Sequence, residues 1–145
     1  PYEQGRLWAS SLSNIFMPRI LFPEKKEIND SEKAVQYTGL QLAGVEEHTS
    51  ISLGYVTETY IDFGPVLMFV ALFIWGSIVS LIIWFLLNNS FNSLLGIAYT
   101  IPVFFNLAVF EMALDKMTGA IFYYLVVILI FDRFFAKKVC SWLER

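Results

Sequence analysis

Apolar residues fill three long runs in the second half of the chain, and short polar stretches separate these runs. The first run, residues 65–87, contains no charged residue and exceeds the length of about 20 residues that a membrane-spanning helix needs. A turn rich in Asn and Ser, residues 88–93, leads to the second run. Pro102 lies in the middle of that run, where we expect a kink. The pattern predicts three transmembrane helices, at about 65–87, 94–114 and 119–136.

The first 64 residues are polar and mixed in character, and their apolar stretches are short. Residues 7–22 are mostly apolar, but Pro18 and Pro23 interrupt this stretch. We therefore expect a short helix at the membrane surface there, or the end of an earlier span. The rest of residues 1–64 is predicted to form a loop region outside the membrane that contains further short helices.

Composition agrees with an all-α integral membrane protein. Hydrophobic residues make up 57% of the chain and charged residues 16%, whereas soluble domains carry about 25% charged residues. The formal net charge of −3 gives no basic surface of the kind that nucleic-acid binding requires. The single cysteine, Cys140, cannot form an internal disulfide, and no Cys or His spacing is typical of zinc sites.

The placement of Lys and Arg predicts the orientation of the spans, because these residues concentrate on the cytoplasmic side of membrane proteins. The end of the chain is basic, with Arg133, Lys137, Lys138 and Arg145. We therefore place residues 137–145 in the cytoplasm and residues 1–64 outside it. The chain begins at Pro1 without an initiator Met or a signal segment. We interpret it as the carboxyl-terminal fragment of a polytopic protein with further spans upstream.

Arg19 is the first candidate for a functional residue. It lies between two prolines in an apolar stretch that we place at the membrane surface. A guanidinium group in that setting needs a partner, and its planar fork suits phosphate oxygens. The alternative is that Arg19 only extends to lipid headgroups, as long basic side chains commonly do.

Pairs of carboxylates give the other candidates. Glu58 and Asp62 are four residues apart and share a helix face before the first span, where two carboxyl groups with separated pKa values can perform acid–base chemistry. They can equally well stabilise the start of a helix. Glu111 and Asp115 have the same spacing, and they either face the same cavity or mark a helix end. His48, the only histidine, is either a loop residue or a base.

Two stretches carry a family resemblance. One reads Pro-Arg, an apolar stretch, then Pro-Glu-Lys, and the other reads Ser-x-x-x-Gly-x-x-x-Glu-x-Tyr-x-x-Phe-Gly directly before the first span. Together they resemble the carboxyl-terminal third of bacterial oligosaccharide repeat-unit polymerases, the Wzy-type O-antigen polymerases. The resemblance covers about residues 14–64, and the matching residues are Pro18, Arg19, Pro23, Lys25, Ser50, Gly54, Glu58, Tyr60, Phe63 and Gly64.

The resemblance implies a multi-pass glycosyltransferase of the bacterial inner membrane. Such an enzyme moves a growing glycan from one polyprenyl diphosphate carrier onto the repeat unit on another, without metal or cofactor. Its partners would be the lipid-linked oligosaccharide, membrane lipid and other proteins of envelope-glycan synthesis. The resemblance implies that Glu58, or His48 as second candidate, acts on the acceptor hydroxyl. It implies contacts with the diphosphate or the glycan from Arg19, Lys25, Asp62 and Tyr60.

Other classes of function remain open at this point. A ligase that transfers finished glycan to another lipid would share the same architecture. A non-catalytic membrane subunit would use Arg19 and Glu58 only for contacts with lipid or protein. A transporter fragment is less well supported, because no predicted span carries a charge near its centre.

Overall fold

A computed structural model describes residues 2–15, 30–39 and 51–143. These residues are arranged in helices without a strand, and the predicted all-α class is confirmed. In chain order the helices are α1 (Arg6–Ile15), α2 (Asp30–Thr38), α3 (Tyr55–Asn89), α4 (Ser93–Ala108), α5 (Leu114–Phe134) and α6 (Ala136–Leu143).

The longest helix, α3, is divided by a kink at Gly64. Its 35 residues would extend about 52 Å, well beyond the ~30 Å hydrocarbon core of a bilayer. Gly64 has φ 76° and ψ −177°, which no helical residue adopts, and Pro65 follows it. We call residues 55–63 the polar segment and residues 65–89 the apolar arm. All acidic residues of α3 lie in the polar segment, so the apolar arm alone has the composition of a membrane span.

Two helices, α3 and α5, are long and apolar enough to cross a membrane. The third apolar helix, α4, has 16 residues and a length of about 24 Å, which is short of the hydrocarbon thickness. It ends at Ala108, earlier than predicted, because the chain turns at residues 109–112 and the Met112 amide donates to the Val109 carbonyl at 3.1 Å. Helix α5 then begins at Leu114 instead of residue 119. That α4 also spans a membrane stays a prediction.

The candidate spans expose most of their apolar surface. In the most apolar 18-residue stretch of each helix, only 11% is buried in α3 and 33% in α5. Phe69 and Phe73, for example, are 65% and 75% exposed. The core helix of a soluble protein would be mostly covered, and soluble monomers rarely expose continuous apolar surface on this scale. Such a surface is typical of a protein that contacts an apolar environment.

Helices α3, α4 and α5 pack together around a continuous apolar core. The Asn92 side chain caps α4 by accepting the Leu94 amide at 3.1 Å. Gly96 lets α4 approach α3 closely, since a Cβ atom there would lie 3.3 Å from backbone atoms of Leu86 and Leu87. The buried side chains of the core that the three helices share include Val79, Leu86, Tyr99, Val103, Ile121 and Ile128.

The short helices α1 and α2 lie at the end of the bundle where α3 and α5 begin. Helix α1 packs against both α3 and α5 and buries Leu7. Helix α2 reaches the same end through the ion pairs described below. The polar residues of the first part of the chain therefore meet the amino-terminal ends of both candidate spans.

Candidate functional site

Glu58 lies in the polar segment of α3 and is almost completely buried, with 1% of its surface exposed. Its Oε2 atom accepts a hydrogen bond from the backbone N–H of Leu114, the first residue of α5, at 3.2 Å. A carboxylate is favourable at that position because the first N–H groups of a helix have no partner inside the helix. Glu58 thus holds the start of α5 against α3.

Lys33 joins this carboxylate to a second one. Its ammonium nitrogen lies 3.9 Å from Oε1 of Glu58 and 3.5 Å from Oδ2 of Asp115. The three residues come from α2, α3 and α5, and the two carboxylates are buried. One cation therefore connects three helices at the end of the bundle.

A second ion pair lies beside the first, between Lys116 of α5 and the buried Asp30 of α2. Lys116 supplies the counter-charge of Asp30, and among the described residues neither oxygen of this carboxylate receives a hydrogen bond of ordinary geometry. Next to it, the Ser31 hydroxyl accepts the Ile51 amide at 3.1 Å and ties residue 51 to α2. We call Asp30, Lys33, Glu58, Asp115 and Lys116 the polar cluster.

The electrostatics of the polar cluster favour protonation of Glu58. Burial is the largest effect and raises the pKa of Glu58, and the nearby carboxylates of Asp115 and Asp30 act in the same direction. The Lys33 ammonium and the Leu114 N–H oppose this, but the pKa of Glu58 remains above its ordinary value. A carboxyl group that takes up a proton more readily than an exposed glutamate is what acid–base chemistry uses. Among residues 2–15, 30–39 and 51–143, no His, Cys, Asp and Glu group is arranged for a metal ion.

Asp62 contacts a different part of the molecule from Glu58. Its two oxygens accept the backbone N–H groups of Leu7 at 3.1 Å and of Trp8 at 2.9 Å, in the first turn of α1. The Trp8 indole N–H donates to Thr59 of α3 at 3.1 Å. Asp62 therefore caps α1, while Glu58 faces α2 and α5. The predicted carboxylate pair is divided between two sets of contacts.

The other predicted residues are distributed as follows. Tyr60 is 45% exposed, lies outside the polar cluster and contacts the edge of the Tyr2 ring at a centroid distance of 6.2 Å. Of the pair Glu111 and Asp115, only Asp115 belongs to the polar cluster, and Glu111 is exposed. Three predicted residues lie outside the described residues, so their placement stays a prediction: Arg19, Lys25 and His48.

Sequence reasoning assigned no site role to Asp30, Lys33 or Lys116. One signal was present, because Asp30 and Lys33 are three residues apart and share a face of a short helix. The partners of that face lie far along the chain, with Lys33 and Asp115 separated by 82 positions. No local pattern carries that information.

The described part of the second motif stretch, residues 51–64, contacts segments that lie far away in the sequence. Gly54, with φ 78°, packs so tightly on the Phe110 carbonyl that a Cβ atom would collide with it. Gly64 takes its positive φ against the Tyr2 ring. Glu58 and Asp62 also contact distant segments, namely the start of α5 and the start of α1. The two glycines and the two carboxylates therefore each join the motif to another part of the chain. The motif therefore has an architectural role whatever else it does.

These observations define an all-helical chain with two helices long and apolar enough to cross a membrane and a buried ion-pair cluster where they begin. The chain belongs to the family described as Domain of unknown function (DUF8712), whose model matches residues 1–141. Comparison with curated proteins and with solved structures gave no significant match.

Proposed function

We propose that this chain is the membrane-embedded part of a glycosyltransferase that polymerises polyprenyl-diphosphate-linked oligosaccharide units at the bacterial inner membrane. The observation that carries the proposal is Glu58, a buried carboxyl group with a raised pKa beside the Lys33 ammonium. The sequence resemblance of residues 14–64 supplies the reaction class.

Membrane insertion is supported by the exposed apolar surface of α3 and α5. We expect the protein to stay in the membrane fraction after carbonate extraction at high pH. Cys140, the only cysteine, then tests the orientation. A membrane-impermeant thiol reagent should label it in inverted vesicles and not in intact cells, because the proposal places α6 in the cytoplasm. Labelling in intact cells would reverse the proposed topology.

The position of α2 supports a site at the polar cluster. In the sequence, α2 separates the segment that carries Arg19 and Lys25 from the segment that carries His48. Lys33 and Asp30 hold α2 against α3 and α5. The candidate cations and the second candidate base therefore belong to the segments directly before and after the helix whose Lys33 is paired with Glu58.

The proposed reaction is a substitution at the anomeric carbon of the donor glycan. The acceptor hydroxyl oxygen forms the new bond to that carbon, and the bond to the diphosphate oxygen breaks. The diphosphate leaves with the electron pair, which Arg19 and Lys25 would stabilise, and the hydroxyl proton passes to Glu58. Because Glu58 is buried and paired with Lys33 of α2, this step requires the ion pairs of Lys33 to open.

Complementation of a strain that lacks the gene and normally makes a polymeric surface glycan tests the proposal. Arg19→Ala and Glu58→Gln should each reduce the glycan ladder to single repeats while the amount of protein in the membrane is unchanged. Glu111→Gln, which changes an exposed carboxylate, is the matched control and should keep the normal ladder. Normal chain lengths in both test variants would overturn the assignment of the site.

A second candidate function is a non-catalytic membrane subunit that anchors a larger assembly. It is favoured by the internal contacts of the motif, since Gly54, Glu58, Asp62 and Gly64 all join segments of this chain. Under this function Glu58→Gln keeps normal chain length, whereas Asp62→Ala lowers the amount of protein. Deleting the gene would then leave the glycan unchanged.

A further inference from the structure

The end of the molecule opposite the polar cluster carries unbalanced positive charge. Among the described residues its exposed cations are Arg133, Lys137 and Lys138, and we call these three residues the basic end. The neighbouring carboxylate, Asp132, is engaged within the bundle, where Oδ1 accepts the Tyr99 hydroxyl and the Phe91 amide, each at 3.2 Å. Even with Asp132 included, the described residues at this end have a net positive charge.

Helix α6 presents its cations on one side. Lys137 and Lys138 are exposed, whereas Ala136 is fully buried and Val139 is half-buried. Directly before α6, Phe134 and Phe135 are 69% and 52% exposed. Basic and aromatic side chains together at the end of an apolar helix are typical of the boundary between membrane and water.

The charge at this end differs from that at the other end of the same helices. Where α3 and α5 begin, the carboxylates of the polar cluster outnumber its cations, and Lys33 and Lys116 are already paired with Glu58, Asp115 and Asp30. The basic end has no such internal partners among the described residues. Among the described residues, the cations at α6 are therefore available to an anion from outside the chain, whereas Lys33 and Lys116 are already paired.

We propose that the basic end binds the headgroup phosphates of anionic phospholipids. This inference rests on the membrane insertion proposed above. Charge complementarity selects an anionic partner, since a negatively charged leaflet attracts basic segments next to a span. The exposed rings of Phe134 and Phe135 select a lipid over a soluble phosphate, because they can pack on acyl chains that a soluble phosphate lacks.

The test uses the full chain purified in a neutral detergent. The protein is incubated with equal amounts of phosphatidylglycerol and phosphatidylcholine that carry the same acyl chains, and retained lipids are measured by native mass spectrometry. The wild type should retain phosphatidylglycerol preferentially. Each neutralised cation should weaken that preference about fivefold, so Lys138→Gln lowers it and the triple variant R133Q/K137Q/K138Q removes it.

Arg6→Gln is the matched control, because it removes an exposed cation from the other end of the molecule and should leave the preference unchanged. Glycerol 3-phosphate at the same concentration should not displace the retained lipid. Equal retention of both lipids by the wild type would overturn the proposal, as would an unchanged preference in the triple variant or full displacement by glycerol 3-phosphate. Loss of the protein from membranes on carbonate extraction would instead reject the membrane insertion itself.

Discussion

The backbone N–H of Glu3 donates a hydrogen bond to the carbonyl of Ile61 at 3.1 Å. In an uninterrupted helix, residue 65 would donate to that carbonyl, but Pro65 has no N–H group. The next amide of the first segment, Gln4, donates in the same way to the Asp62 carbonyl at 2.9 Å. The beginning of the chain thus replaces hydrogen bonds that the kink of α3 removes, so a segment far away in the sequence stabilises the kink.

Gly64→Ala should destabilise the protein by about 1–3 kcal/mol, because Gly64 has φ 76° and a Cβ atom there would lie 2.7 Å from the Tyr2 ring. Thermal unfolding in detergent measures the effect. Gly76→Ala is the matched control on the same helix, where a Cβ atom meets nothing within 4 Å, and its stability should be unchanged or higher. Equal melting temperatures for the two variants would contradict the packing of Tyr2 on the kink.

Asp62→Ala should cost about 2 kcal/mol, because the buried N–H groups at the start of α1 lose their acceptor. Asp62→Asn keeps one acceptor oxygen and should lose about half as much. Proteolysis of the detergent-solubilised protein provides a local measurement, since α1 should become cleavable in the Ala variant before the rest of the chain. If the stability is unchanged while glycan synthesis stops, the role of Asp62 is in binding and not in capping.

The pH dependence of stability should change when Glu58 is replaced by Gln. Burial raises the pKa of Glu58 in the folded state above its ordinary value of 4.5. Between 4.5 and the raised pKa the folded state binds more protons than the unfolded state, so the free energy of unfolding falls as pH rises. The stabilisation that the folded state gains from protonated Glu58 is fully present below pH 4.5 and is lost as the pH rises through the raised pKa.

The melting temperature of the wild type minus that of Glu58→Gln should therefore decrease as pH rises through this window. The glutamine side chain of the variant cannot titrate but can still accept the Leu114 N–H, so the difference isolates the charge. The control is Glu111→Gln, which changes an exposed carboxylate. Its melting temperature should change with pH in the same way as that of the wild type. A difference that grows with pH would mean that the Lys33 ion pair outweighs burial.

Gly96→Leu should force α4 away from α3, because even a Cβ atom would lie 3.3 Å from backbone atoms of Leu86 and Leu87. Overpacking of this kind costs about 1–3 kcal/mol. Gly119→Leu provides the control in α5, where a Cβ atom has no neighbour within 4 Å. Both changes improve helix propensity equally, so the difference between their melting temperatures reports the contact of α3 with α4.

The local pattern of the sequence was sufficient to predict the apolar arm of α3. A charge-free run from residue 65 predicted the apolar arm, and the break before it was visible as Gly64-Pro65. The pattern was less informative at the end of α4. Residues 109–112 are apolar apart from Glu111, yet they form a turn, because Tyr55 at the start of α3 donates its N–H to the Met112 carbonyl at 2.8 Å. A contact between distant segments outweighed the local preference for helix.

The sequence by itself determined the all-α class and the three apolar runs, because both are properties of the local pattern. The structure shows that two of the helices are long and apolar enough to cross a membrane. The sequence also indicated that Glu58 and Asp62 matter. Only the tertiary structure decided what they do, since Leu114 lies 56 positions after Glu58, and Leu7 lies 55 before Asp62. Periodicity records which face a residue occupies, whereas the partner of a buried carboxylate is set by how whole helices pack.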